Sequence, residues 1–182
     1  MAEPTRRGML LGLGAAATAA AAPALRAWDF TFTAIEEGPL PLAQWQGRAL
    51  LVTNTASFCG FTYQYKGLEA LHAELSPQGL TVVGVPSQDF DQESDSNGKV
   101  KQFCEATFGV QFPMAGLTHV RGPQAHPFYR WVDDTRNWEP AWNFNKVLIG
   151  RDGAIAGLFS SWSAPDGVKL RAAIERALAT TA

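Results

Sequence analysis

Cysteine is scarce in this chain: two residues, Cys59 and Cys104, among 182. Two thiols cannot build a disulfide framework, and by themselves they cannot close a zinc site. They can make one bridge or one redox pair. Excess charge is missing too, with a formal net of −2. Neither sign of field dominates, so there is no footprint for nucleic acid or an anionic membrane. The three histidines, His72, His119 and His126, have no metal-ligand spacing among themselves, and His126 before Pro127 reads as a helix cap. Repeats and low-complexity tracts are absent after the first segment. Apolar sequence is plentiful, at 46% of the chain, which suits one globular domain without staples.

Residues 1–26 stand apart from that domain. Paired Arg6 and Arg7 precede an Ala/Gly-rich apolar run from Met9 to Ala22, followed by small residues that offer cleavage sites. That order is expected of an export signal, and the adjacent arginines favour the twin-arginine type. A membrane anchor is the alternative, but Gly12, Gly14 and Thr18 interrupt the run and Ala dominates it. The expectation is a domain over 27–182 working in an oxidising bacterial periplasm, where a cysteine pair is bridged unless something reduces it.

Along the domain, Trp28–Thr33 alternates apolar and polar as a half-buried strand does, and Pro39 to Gly47 reads as loop or short edge piece. Leu50–Asn54 is a buried strand. Tyr63–Leu75 has Leu68, Leu71 and Leu75 at helical spacing, and Leu80–Val85 is a second buried strand. Together they predict a parallel βαβ unit. Further on, the pattern predicts a helix over Lys99–Thr107 carrying Cys104, a short strand near Thr118–Val120 and a helix over Ala125–Val132. Strands over Lys146–Ile149 and Ala154–Phe159 are joined by Arg151-Asp152-Gly153, a hairpin signal. A final helix from about Pro165 puts Val168, Leu170, Ile174 and Leu178 on or near one face. The sum is an α/β, thioredoxin-like fold: a mixed central sheet with helices on both faces.

Cys59 falls at the turn between the first buried strand and the helix after it. A sulfur there lies near unpaired N–H groups and the positive end of the helix dipole, which favour the nucleophilic thiolate. A buried, inert cysteine is the competing reading. The acidic alternation Asp89, Asp91, Glu93, Asp95 invites a calcium loop, but Ser94 and Val100 stand where an EF-hand needs Gly and Glu.

Five collinear segments carry a resemblance: Val52–Thr62, Tyr65–Leu71, Phe103–Met114, Gly122–Pro127 and Trp142–Lys146. Across nearly the whole of 27–182 the chain resembles the glutathione peroxidase family in its cysteine form. The resemblance implies a thiol peroxidase that reduces hydrogen peroxide and organic hydroperoxides, with no cofactor or metal. It implies that Cys59 is the peroxidatic residue, with Gln92, Trp142 and Asn143 as N–H donors around it. The loop carrying Gln92 is one residue shorter than the family's, with Asp91 at a usual glycine, so Gln88 is a rival for that place. The Phe-Cys-x-x-x-Phe-Gly segment makes Cys104 the resolving cysteine, attacking a Cys59 sulfenic acid to form an internal disulfide. The reductant implied is a thioredoxin-like dithiol protein, with glutathione the doubtful alternative. The short Asp133–Ala141 connection matches the monomeric members. A different class, a peroxide sensor or disulfide carrier that does not turn over, shares the first chemical step.

Overall fold

The structure, a computed structural model, describes residue 1 and residues 24–180. The expected export signal therefore lies almost wholly outside the described residues.

Four strands form the central sheet in the order β4-β3-β5-β6: β3 is Ala49–Thr55, β4 Leu80–Pro86, β5 Lys146–Ile149 and β6 Ile155–Phe159. β3 pairs parallel with β4, from Ala49↔Leu80 to Thr55↔Pro86, and antiparallel with β5, from Leu50↔Ile149 to Thr53↔Lys146. Helix α1 (Gln64–Leu75) is the crossover of the expected βαβ unit. Gly79, at φ +103, ends that crossover in the left-handed region that glycine enters without strain.

The two faces of the sheet follow from strand alternation. Ala49, Leu51, Leu80, Val82 and Leu148 share a buried cluster with Leu68 and Leu71 of α1 and with Leu170 and Ile174 of α4 (Val168–Ala179). Val100 and Cys104 of α2 (Asn97–Phe108) join the same cluster. Leu50, Val52, Val83, Val85, Val147 and Ile149 face the other way, onto Phe128, Tyr129, Trp131 and Val132 of α3 (Pro127–Arg136). With helices on both faces of a mixed sheet, the fold is the expected thioredoxin-like one.

Several expectations need correction. Trp28–Thr33 is not one strand: Ala27–Asp29 is a 3₁₀ turn, and only β1 (Thr31–Thr33) is extended. β1 pairs with β2 (Pro39–Pro41) in a separate two-stranded sheet; the Pro39 stretch is thus the short edge piece, one of its two expected forms, and proline there loses no central ladder bond. Thr118–Val120 forms no strand. Its backbone is satisfied locally, Thr118 N–H donating to the Pro86 carbonyl and Val120 N–H to the Asp89 carboxylate. The hairpin between β5 and β6 is there, but its loop runs Gly150–Ala154 and is closed by the Gly150 N–H donating to Ala154. α4 starts at Val168 rather than Pro165, and Val168 is solvent-exposed, off the buried face. The His126 cap is present: its Nδ1 accepts the Phe128 N–H, with Pro127 at the first helical position.

Candidate active site

Cys59 sits in the turn between β3 and α1 and is 8% exposed. Thr62 shapes the turn. Its hydroxyl accepts the Cys59 N–H at 3.0 Å and donates to the Ala56 carbonyl, while its own N–H donates to the Cys59 carbonyl. The sulfur accepts the Phe61 N–H at 3.4 Å, so one backbone donor already points at it. The helix itself begins later, at Gln64; the donors near the sulfur are those of the preceding turn.

Two other chain segments meet this turn. The Phe58 N–H donates to the Gln92 carbonyl at 2.9 Å, which ties the cysteine turn to the loop after β4. Gln92 Oε1 in turn accepts the Asn143 Nδ2–H at 3.0 Å. Gln92 and Asn143 therefore lie together beside the Cys59 turn. The rival Gln88 is used differently: its Nε2 donates to the Glu93 carbonyl at 2.6 Å and braces the loop. Asp91 has φ +54, the left-handed conformation a glycine would adopt freely. Trp142 is 40% exposed with its ring 5.3 Å from Phe90, and its carbonyl takes the Asn54 and Asn145 side-chain N–H groups. Around the turn stand further exposed rings, Phe58, Tyr63 and Trp162, the last edge-on to Phe61.

Cys104 is fully buried on α2 and unbridged, like Cys59. Burial pushes its thiol up to about 11; the nearby Tyr65 hydroxyl opposes this, and the Glu93 and Glu105 carboxylates add to it. Tyr65 lies beside the sulfur without a well-formed hydrogen bond. The residues preceding the two cysteines touch, the Phe58 and Phe103 rings being 6.3 Å apart, so α2 lies against the Cys59 turn.

The acidic loop has other work than calcium. Asp89 accepts from the Val120 and Arg121 N–H groups and pairs with His119; Asp95 pairs with Lys99. Glu93 is buried, accepts the Ser94 N–H, and has its carboxyl pushed up by burial against weaker help from Ser57 and Ser94. Among the described residues no three His, Cys, Asp or Glu side chains gather as a metal site.

Sequence reasoning missed the floor of the site. Lys146, Gln64, Asn145, Asn54 and Ser161 are buried polar side chains beneath the Trp142–Asn143 turn. The visible signals were a lysine opening an apolar strand and an asparagine inside another. Phe144, in that turn, has φ +60 although it carries a bulky side chain.

A thiol so placed, where a strand hands over to a helix in a thioredoxin-like fold, belongs with the thiol-dependent redox proteins. Within that class the chain is a member of the glutathione peroxidase family, whose family model matches residues 27–133. It is 36% identical over 162 residues to a hydroperoxy fatty acid reductase of Synechocystis, covering 83% of this chain and 95% of that one. It is 38% identical over 133 residues to a glutathione peroxidase-like peroxiredoxin of Schizosaccharomyces pombe, covering 70% and 84%. Among solved structures, the apo form of Trgpx superposes with a TM-score of 0.70 at 32% identity, over 87% of this chain and 99% of that one. A thiol:disulfide interchange protein of the thioredoxin family from Chlorobium tepidum, at 18% identity and a TM-score of 0.64, shares the fold. The protein is a peroxidase enzyme.

Proposed function

We propose that the chain reduces hydrogen peroxide and organic hydroperoxides through Cys59. The Cys59 thiolate attacks one peroxide oxygen, the O–O bond breaks, and the other oxygen leaves as water or an alcohol after taking a proton. The sulfur is left as a sulfenic acid. Gln92, Trp142 and Asn143 donate N–H bonds to the thiolate and to the departing oxygen, stabilising charge where it develops. The Cys104 thiolate then attacks the Cys59 sulfur, hydroxide leaves as water, and a disulfide forms. A thioredoxin-like dithiol protein returns both thiols by exchange and is itself oxidised to a disulfide.

The observation that carries this reading is the hydrogen-bonded run from the Cys59 turn through Gln92 to Asn143, around a sulfur that already accepts a backbone N–H. The aromatic rim of Phe58, Tyr63 and Trp162 suits apolar hydroperoxides as well as hydrogen peroxide. The Synechocystis relative's name points the same way. The chain works as a monomer in the periplasm after export on residues 1–26.

The experiment is a peroxidase assay of the domain with thioredoxin or glutathione as donor. Cys59→Ser is expected to lose all turnover, and Cys104→Ser to retain one oxidation by peroxide but lose thioredoxin-driven turnover. Full turnover in Cys59→Ser would end the proposal; glutathione supporting Cys104→Ser at wild-type rate would remove the dithiol step from it.

A further inference from the structure

Lys146, the first residue of β5, is completely buried and meets no carboxylate among the described residues. A buried cation without a counter-charge costs several kcal/mol in general, and an apolar residue would relieve that cost. Its contacts explain what it does instead. Nζ donates at 2.8 Å to Gln64 Oε1 and at 2.8 Å to the Phe144 carbonyl. Gln64 is the first residue of α1 and follows the Cys59 turn directly, its N–H donating to the Phe61 carbonyl. Phe144 holds the left-handed kink next to Trp142 and Asn143. One amine thus bridges the two halves of the site.

The rest of the frame fixes the same turn. The Ser161 hydroxyl donates to the Asn143 carbonyl at 2.6 Å, and Gln64 Nε2 donates to the Ser161 carbonyl at 2.6 Å. The Trp142 carbonyl takes two amide donors, from Asn54 and Asn145, and the Phe144 N–H donates to the Asn54 carbonyl at 2.7 Å. Each carbonyl from Trp142 to Phe144 is therefore held by a buried side chain, and the one at the strained residue is held by Lys146.

We propose that Lys146 is a positioning residue for the peroxidase reaction: by clamping Gln64 to the Phe144 carbonyl it sets the Trp142–Asn143 donors against the Cys59 turn. This rests on the reading that those donors serve the reacting oxygen, because Lys146 touches neither the sulfur turn's thiol nor solvent. Removing the clamp lets the kinked turn relax and the donors drift, and small misplacements of donors cost rate steeply.

The test uses the rate constant for oxidation of Cys59 by hydrogen peroxide, followed by stopped flow, alongside alkylation of Cys59 by iodoacetamide, both in a Cys104→Ser background. Alkylation expels iodide and needs no donor to a departing oxygen. Lys146→Met is expected to lower the peroxide rate tenfold or more and alkylation less than threefold. In an Asn143→Ala background the further loss should shrink below threefold, since both changes disable one device. Ser161→Ala, which keeps Lys146, should lower the peroxide rate several-fold and covers a Lys146→Met that fails to fold. A peroxide rate within twofold of wild type in Lys146→Met, or in Ser161→Ala where Lys146→Met does not fold, overturns the inference. So do equal losses in both reactions, or a loss undiminished by Asn143→Ala. If Asn143→Ala alone leaves the peroxide rate unchanged, the donor reading fails instead, which that variant reports by itself.

Discussion

Truncating a buried side chain should make one step of this enzyme faster. Cys104 is sealed in the core with its thiol pushed up to about 11. At neutral pH only about one molecule in ten thousand carries the Cys104 thiolate while α2 is docked, and release to an ordinary cysteine environment raises that roughly a hundredfold. On the proposed mechanism, resolution of a Cys59 sulfenic acid by Cys104 therefore runs through an undocked helix. Few side chains hold α2 down: Val100 and Cys104 are its buried residues, and Phe103 and Phe108 are half-buried. Its Lys101–Glu36 ion pair is solvent-exposed and adds little.

Val100→Ala removes apolar volume from that contact and should cost about 1–2 kcal/mol. If docking is a rapid pre-equilibrium, the undocked population rises about tenfold for each 1.4 kcal/mol lost. Val100→Ala is thus expected to form the Cys59–Cys104 disulfide about tenfold faster after peroxide addition. The first oxidation of Cys59 should stay within twofold of wild type. Rapid quench with mass spectrometry separates the two steps, and hydrogen exchange reports whether α2 amides open more often. Faster exchange in α2 with an unchanged or slower disulfide step would refute the reasoning. So would equal α2 protection in reduced and oxidised wild-type protein.

Other consequences follow from buried or strained groups. Burial holds Lys146 down to about 7 against an ordinary 10.5, so between these values the unfolded chain carries a proton that the folded one lacks. Stability should therefore rise with pH through that window, by up to about 5 kcal/mol, and Lys146→Met should flatten the rise in urea titrations; a flat wild-type profile would contradict it. Glu93 has the opposite sign, because the folded protein keeps a proton after the unfolded chain has lost it. Its burial costs stability above the folded value and nothing well below the ordinary carboxylate range, so Glu93→Gln should melt higher than wild type at pH 7, with the gap closing near pH 4. Asp91→Gly should raise stability by up to about 1 kcal/mol, seen as a higher melting temperature, because it relieves a left-handed residue whose side chain is exposed.

The sheet and its helices were legible because period carries them: Leu68, Leu71 and Leu75 mark a helical face, and the two apolar runs around them mark parallel strands. Motif order made the neighbourhood of Cys59, Gln92 and Asn143 legible as well. What periodicity could not reveal were contacts made by single polar residues across the sheet. Lys146 reads as the polar end of a strand until Gln64, 82 positions earlier, is seen to face it. The Thr118–Val120 strand failed for a related reason, because a β-favouring composition lost to one carboxylate, Asp89, that captured the backbone N–H groups of Val120 and Arg121. Phe144 gave no warning of a left-handed kink, since sequence suggests such turns only at Gly, Asn or Asp.

The proposed two-cysteine reaction asks two incompatible things of one small domain, and on that reading the fold separates them in space. Breaking an O–O bond requires donors that are already in place, because reorganising them during the reaction would add to the barrier. The Trp142–Asn143 turn, which carries the proposed donors, has its carbonyls held from below by Asn54, Asn145, Ser161 and Lys146. Resolving the product requires a second sulfur to arrive later, and that sulfur must stay protonated meanwhile or it would compete for oxidant itself. α2 meets this need by holding Cys104 in the apolar core on few anchors. Stiffening α2 should therefore slow turnover without affecting the first oxidation, whereas loosening the polar floor should slow the first oxidation and leave the resolving step free to proceed. Because the two lesions act on different steps, their effects on the two rate constants should be independent in a double variant, and coupling between them would mean that the floor and the helix move together.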